Sequence, residues 1–277
     1  MRHSVGVSLS FERTDFGPVL FGGELERGIR FVSKLGFPCV EISIRDPNEI
    51  DRQRLLHLLG ETGLSLSGIA TGQAYYNDGL SLVDSDPRKR LECLDRLKAQ
   101  IHLASTFGAT VIIGGIRGVL SRDPAESETQ KTTFYKDLEE LADYASKVRV
   151  NLAIEPINRY ETNFINTVSE GLDTITRLGR DNVGLLIDTF HMNIEEPRFR
   201  DSILKAGKRV MYVHIADSNR LAPGHGHVDF AEVFEALGEI GYDGPIVAEV
   251  LPRPTDEDTA RDVVAFWKKQ AEAYVSP

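Results

Sequence analysis

Basic residues are in short supply in this chain. Its 277 residues include 32 Lys and Arg against 42 Asp and Glu, a formal net charge of −10. A surface that binds phosphates needs the opposite balance, so a nucleic-acid partner is not expected. Cysteine is nearly absent. Cys39 and Cys93 fall in a strand-like and a helix-like segment and read as reduced interior residues, not as a disulfide frame. No apolar run approaches the roughly 20 residues of a membrane-spanning helix. The first residues show no basic region followed by an apolar stretch. A cytoplasmic protein with no membrane partner is therefore expected. No glycine-rich turn follows the first apolar segment: VSLSFERTDFG is not a dinucleotide fingerprint, so no nucleotide cofactor is expected.

Short apolar runs alternate with helical patterns eight times. The strand candidates are HSVGVSL (3–9), PCVEISI (38–44), LSLSGIA (64–70), TVIIGGI (110–116), VNLAIE (150–155), VGLLID (183–188), VMYVHIA (210–216) and PIVAEVL (245–251). Such runs suit strands covered on both faces. Between them, apolar residues recur at helical spacing, as in Leu91, Leu94, Leu97 and Ile101, or Phe134, Leu138, Leu141 and Ala145. Gly36, Gly63, Gly108, Gly179 and Gly241 fall where helices should end. Eight βα units with no long linker predict one (β/α)₈ TIM barrel domain over 1–277, a fold that commonly uses about 250 residues. Two connections exceed what packing needs, 71–86 and 117–132, and both follow strand C-termini, where barrels place active sites.

The last four strand candidates share a feature that packing does not explain. Glu155, Asp188, His214 and Glu249 each stand at or near the end of an apolar run. A single acid at a strand end is often a helix cap or an ion-pair partner. Four on successive strands are better explained by convergence on one divalent cation, because burying several uncompensated carboxylates together is costly. Three carboxylates with one imidazole and no thiolate favour Mn²⁺, with Mg²⁺ or Co²⁺ as alternatives. Such ions take about six ligands, which leaves room for two oxygens of a vicinal hydroxy-ketone. Polarising its carbonyl would loosen the neighbouring C–H proton, and flanking carboxylates could then act as base and acid.

The segments EPINRYETNFINT (155–167), IDTFHMNIEE (187–196), VHIADSNRLAPGHG (213–226) and AEV (248–250), in this order, resemble the ketose 3-epimerases of the xylose-isomerase-like barrel superfamily. D-tagatose and D-psicose (allulose) 3-epimerases are its best-known members. The resemblance covers nearly the whole chain and implies a (β/α)₈ barrel that inverts C3 of a ketose or keto-acid sugar through a cis-enediolate. It implies Glu155, Asp188, His214 and Glu249 as metal ligands, with Glu155 and Glu249 also the acid/base pair. It implies Glu161, His191 and Arg220 as holders of the substrate's carbonyl end, and a homodimer or homotetramer as the assembly. A sugar or hydroxypyruvate isomerase, or an inosose-type dehydratase, would use the same metal site.

One stretch departs from the family pattern. The exit of the fourth strand, GGIRGVLSRD, carries Arg117 and Arg122 but no aromatic residue, and Arg45 follows the second strand. An arginine facing the pocket would pair with a substrate carboxylate through two parallel hydrogen bonds, so Arg117 points towards a ketouronate or keto-gluconate. The competing reading is a salt bridge at the barrel rim, to Asp123 or Asp46. No phosphate cradle follows the last two strands, and PGHG, with His225 and His227 nearby, reads equally as a turn before a helix near Phe230. An endonuclease would need further strand-end histidines, and a Schiff-base aldolase a strand-end lysine; neither is present.

Overall fold

Each apolar run becomes a parallel strand in a computed structural model that describes residues 4–275. The strands are β1 (Val5–Ser10), β2 (Cys39–Ser43), β3 (Ser65–Ala70), β4 (Thr110–Ile113), β5 (Leu152–Ile154), β6 (Val183–Asp188), β7 (Val210–Ile215) and β8 (Ile246–Ala248). They pair in chain order, and β8 closes back onto β1, giving a barrel wrapped in helices. His3, the first residue of the first strand candidate, lies outside the described residues, as do Met1, Arg2, Ser276 and Pro277.

The helices begin and end where local chemistry dictates. Asp51, Asp86, Asp123 and Asp229 each accept a backbone N–H of the following turn, and Thr167 forms a capping box with Glu170. Gly36, Gly63, Gly108 and Gly179 close their helices in the left-handed conformation that glycine adopts without a Cβ penalty. Two expectations need correction. Leu91 does not join Leu94, Leu97 and Ile101 in the core but is 57% exposed, because the helix Pro87–Phe107 turns that position outward. Segment 117–132 is not a long loop either: Asp123 caps a helix at Pro124–Lys147, so more than half of the segment is regular. Segment 71–86 does form an elaborate connection, with a short helix at Gly72–Tyr76.

Side chains alternate between the surrounding helices and the bore. One apolar residue from each of β3 to β8 fills the bore: Ala70, Ile112, Ala153, Leu186, Tyr212 and Val247. The inward positions of β1 and β2 are small or polar instead, Ser8, Ser10, Glu41 and Ser43, all buried. That asymmetry lets β7 send its large side chains across the barrel. The Tyr212 hydroxyl lies 2.8 Å from Ser67 Oγ on β3. Gly68 makes the crossing possible, since a Cβ there would stand 2.6 Å from the Tyr212 hydroxyl oxygen. Tyr212 is fully buried and has no room to retreat. Gly68→Ala is expected to lower stability by about 1–3 kcal/mol, as overpacking does, read as a lower urea midpoint at unchanged m-value.

Candidate metal centre and active site

Barrel closure brings the four strand-end residues to one point. Asp188 is the last residue of β6 and His214 the penultimate residue of β7, while Glu155 and Glu249 stand one residue beyond β5 and β8. One ligand atom from each lies within 4.8 Å of all the others, and all four residues are buried. Donor atoms at about 2.1 Å from an octahedral cation stand about 3 to 4.2 Å apart, so this spacing suits a single ion.

Two atoms support that fit. His214 Nδ1 and Asp188 Oδ2 are buried and make no hydrogen bond. His214 Nδ1 faces Glu155 Oε1 and Glu249 Oε2, each at 3.7 Å. Asp188 Oδ2 has Arg220 Nη1 at 3.0 Å, but without hydrogen-bond alignment. Its Oδ1 accepts from Phe190 N at 2.8 Å and caps the helix Thr189–Glu195. Capping and ligation are thus compatible in Asp188, one oxygen serving each.

The electrostatics follow from burial and crowding. In the absence of a bound cation, burial pushes Glu249 up to about 8, against the pull of Arg220 and His214. Burial also raises Glu155, although the nearby His214 ring opposes it. Burial acts to raise Asp188, but Arg220, His191 and His214 outweigh it and hold that carboxyl low. Burial acts to lower His214, yet Glu41, Glu249 and Glu155 prevail and raise it well above the usual range. A cation with two positive charges would stabilise the ionised form of every carboxylate here.

The residues expected at the carbonyl end surround this cluster. Arg220 pairs with Glu249 and Asp188, and its guanidinium lies over the Phe190 ring at 4.6 Å. It occupies a left-handed turn (φ 61°), pinned by Leu251 N donating to its carbonyl at 2.8 Å. His191 Nε2 lies 3.7 Å from both Glu155 and Asp188. Burial lowers the His191 ring to about 3, so it is neutral at ordinary pH. Its Nδ1 faces the Asn158 side-chain nitrogen at 2.8 Å, which also donates to Glu161 at 2.7 Å. The shorter contact decides the tautomer: with Nδ1 accepting, the ring proton resides on Nε2 and points at the cluster, so Arg220 Nη1, 3.4 Å from Nε2, does not donate to it. Asn158 is a positioning group that sequence reasoning missed. Its signal was available, since it lies within the same NRYE segment as Glu161. Glu41 on β2 was missed as well: its carboxylate meets His214 Nε2 at 2.7 Å.

Arg117 is not where the sequence reading put it. It is fully buried and donates to four main-chain carbonyls: Phe164 at 2.7 Å, Gly114 at 2.9 Å, Glu155 at 2.6 Å and Ile165 at 2.9 Å. Burial lowers it to about 10, so it stays charged. Its donors are engaged in tying the β4 exit to the β5 exit and fixing the backbone of Glu155, and it does not line the pocket. Arg45 pairs with Asp78 at 3.1 Å, and Arg122 is exposed. His225 pairs with Asp262 at 3.1 Å, and Gly224 N donates to Asp217 at 2.8 Å, so PGHG is a turn tied to its neighbours; His227, just beyond it, meets Ser218 at 2.9 Å.

Above the cluster lies an inner chamber of about 30 Å³, bounded by Glu155, His191, His214, Arg220 and Glu249 among others. It shares Phe16, Tyr76, Glu161 and Arg220 with an outer chamber of about 650 Å³. Phe16 stacks on Tyr76 at 5.0 Å, and the Tyr76 hydroxyl donates to Glu161 at 3.3 Å. The inner chamber has room for about one water.

Residues 29–270 match the family model described as xylose isomerase-like TIM barrel. The chain belongs to that family. It is similar to an L-ribulose 3-epimerase of Methylomonas sp. (strain DH-1), 33% identical over 87% of this chain and 84% of the relative. It is also similar to a ketose 3-epimerase of Arthrobacter globiformis, 35% identical over the same shares. Among solved structures, a D-allulose 3-epimerase from Methylomonas sp. in complex with D-allulose matches with a TM-score of 0.82 and 29% identity, over 97% of both chains. Among the described residues, no helix is long and apolar enough to cross a membrane.

Two outcomes follow for this barrel. Saturating Mn²⁺ is expected to raise the melting temperature by about 5–10 °C, EDTA to reverse the rise, and Asp188→Asn to abolish it; differential scanning fluorimetry reads all three. Arg117→Met removes the side-chain donors of four carbonyls, of which Gly114 and Ile165 keep a backbone N–H, and is expected to cost about 3–5 kcal/mol in urea unfolding.

Proposed function

We propose that this protein is a divalent-metal-dependent isomerase that inverts C3 of a ketose, with Mn²⁺ as the ion best suited to its donor set. One observation carries the reading. Two buried glutamates, Glu155 and Glu249, converge with Asp188 and His214 at the mouth of a barrel whose relatives include ketose 3-epimerases. What a bound cation supplies is polarisation of the substrate carbonyl, which makes the proton on C3 easier to remove. The chain's own residues do the rest. β5 and β8 are three staves apart in an eight-stave ring, so the two carboxylates reach a substrate from well-separated directions. One removes the C3 proton and the other delivers a proton to the opposite face, which inverts the centre. Without a cation, burial raises both carboxyls, Glu155 and Glu249, and two groups of the same chemical type suit a reversible reaction. Arg220 and the Nε2–H of His191 donate towards oxygens that gain charge at the carbonyl end. Glu161, held by Asn158 and Tyr76, accepts from substrate hydroxyls at the mouth.

Neutral ketoses fit better than sugar acids. Arg117 is committed to carbonyls, and Arg220, the one arginine lining the inner chamber, already faces two carboxylates. Among the described residues, no guanidinium at the inner chamber is without a carboxylate partner. Two buried free cysteines agree with a cytoplasmic setting. Glu155→Gln and Glu249→Gln are expected to lower kcat by about 10²–10⁴-fold and to remove solvent-deuterium incorporation at C3, followed by proton NMR in D₂O. Normal exchange in both variants would remove the pair from its role. In a substrate panel with Mn²⁺, neutral ketoses should outperform keto-aldonates in kcat/KM, and a clear preference for the acids would overturn the substrate class.

A further inference from the structure

We infer that Glu41 is the positioning residue of the cluster, fixing the tautomer and aim of His214 and thereby setting the affinity for a divalent cation. This rests on the proposed reading of the cluster as a metal centre. Glu41 sits in the middle of β2 with no solvent exposure, and His214 is 1% exposed. Its Oε2 lies 2.7 Å from His214 Nε2, while its Oε1 has no hydrogen-bond partner. Among the described residues, His214 is the one ion-pair partner within reach. A carboxylate buried against a lone imidazole is costly to keep and contributes little to packing.

The arrangement has a clear use at a metal centre. An imidazole has two nitrogens, and the hydrogen bond made by one decides what the other can do. With Nε2–H donated to Glu41, the Nδ1 lone pair is left to face Glu155, Asp188 and Glu249. Nδ1 is the nitrogen that lies closest to those carboxylates and has no hydrogen bond. The negative charge on Glu41 also makes the imidazole a better donor to a cation. Tyr212 stands edge-on to the His214 ring, with centroids 5.6 Å apart, and limits its rotation.

The barrel is modified on both sides to make this contact. The β2–β3 ladder skips a residue beside Glu41: Val40 pairs with Leu66 and Glu41 with Gly68, which leaves Ser67 as the extra residue. The Ser67 hydroxyl donates to Val40 O and meets the Tyr212 hydroxyl. The β6–β7 ladder skips likewise: Leu185 pairs with Val210 and Leu186 with Tyr212, leaving Met211 as the extra residue just before Tyr212 and His214. Gly184 leaves the room this requires, since a Cβ there would stand 2.3 Å from Met211 Cγ. Bulges re-aim side chains, and these two flank the strand segments that hold Glu41 and His214. Ser8 and Gly68, the register neighbours of Glu41, are small enough to leave its path across the bore open.

The parent protein, labelled with ¹⁵N-histidine and loaded with ¹¹³Cd²⁺, should show metal–nitrogen coupling at Nδ1 of His214 and a protonated Nε2. Coupling at Nε2 would overturn the inference, and this measurement needs no variant to fold. Glu41→Gln, with unchanged near-ultraviolet circular dichroism, should raise the Mn²⁺ dissociation constant by about 10–100-fold, read from free Mn²⁺ by electron paramagnetic resonance. A constant within twofold of the parent's would also overturn it. A parent that binds neither cation would remove the metal-dependent reading and this inference together. A parent that binds Mn²⁺ through Nε2 would remove this inference alone.

Discussion

Repulsion among three buried carboxylates is the constraint that the rest of the site answers. Glu155, Asp188 and Glu249 place oxygens within 4.8 Å of one another in a chamber that excludes most water. At an effective dielectric near 20, each like-charge pair at such distances costs about 3–4 kcal/mol. The protein meets that cost with positive charge. Arg220 reaches between Asp188 and Glu249, and Glu41, Glu249 and Glu155 raise the affinity of His214 for a proton when no cation is bound. A divalent cation would do the same more compactly. The repulsion that makes the cluster expensive would also favour a bound cation.

The barrel supplies the geometry at little further cost. Four consecutive strands end at the same height, so four residues far apart in sequence converge without special loops. Asp188 shows how tightly structure and chemistry are combined, because one carboxylate both starts a helix and faces the cluster. The opposite side of the bore is kept small or polar, which gives Tyr212 and His214 room to cross from β7. Arg117 acts beneath the site. By tying carbonyls of Gly114, Glu155, Phe164 and Ile165 together, it holds the Glu155 backbone against the neighbouring strand exit.

Arg117 also marks a limit of reading residues one at a time. An arginine just past a barrel strand is a reasonable anion receptor, and equally a reasonable partner for carbonyls that lack strand neighbours. Five N–H donors serve either purpose. The difference depends on whether the side chain turns into the pocket or under it, and 3₁₀ geometry at Gly115–Arg117 turned it under. Leu91 was misplaced for a similar reason. Helical spacing identifies a stripe, but where the stripe ends depends on which neighbours cover it.

The sequence by itself determined the eight βα units, most helix ends and the four strand-end residues that converge. Those signals are local: apolar runs of strand length, Asp or Thr before a helix and Gly after it, and hard ligands where packing calls for none. Tertiary structure alone decided which nitrogen of His214 faces the cluster, that Glu41 stands behind it and that Asn158 links Glu161 to His191. These are contacts between residues separated by up to 173 positions, created by barrel closure and by two one-residue slips in strand pairing. Because a strand alternates its faces every residue, such a slip changes which side chains enter the bore, and no local pattern encodes it.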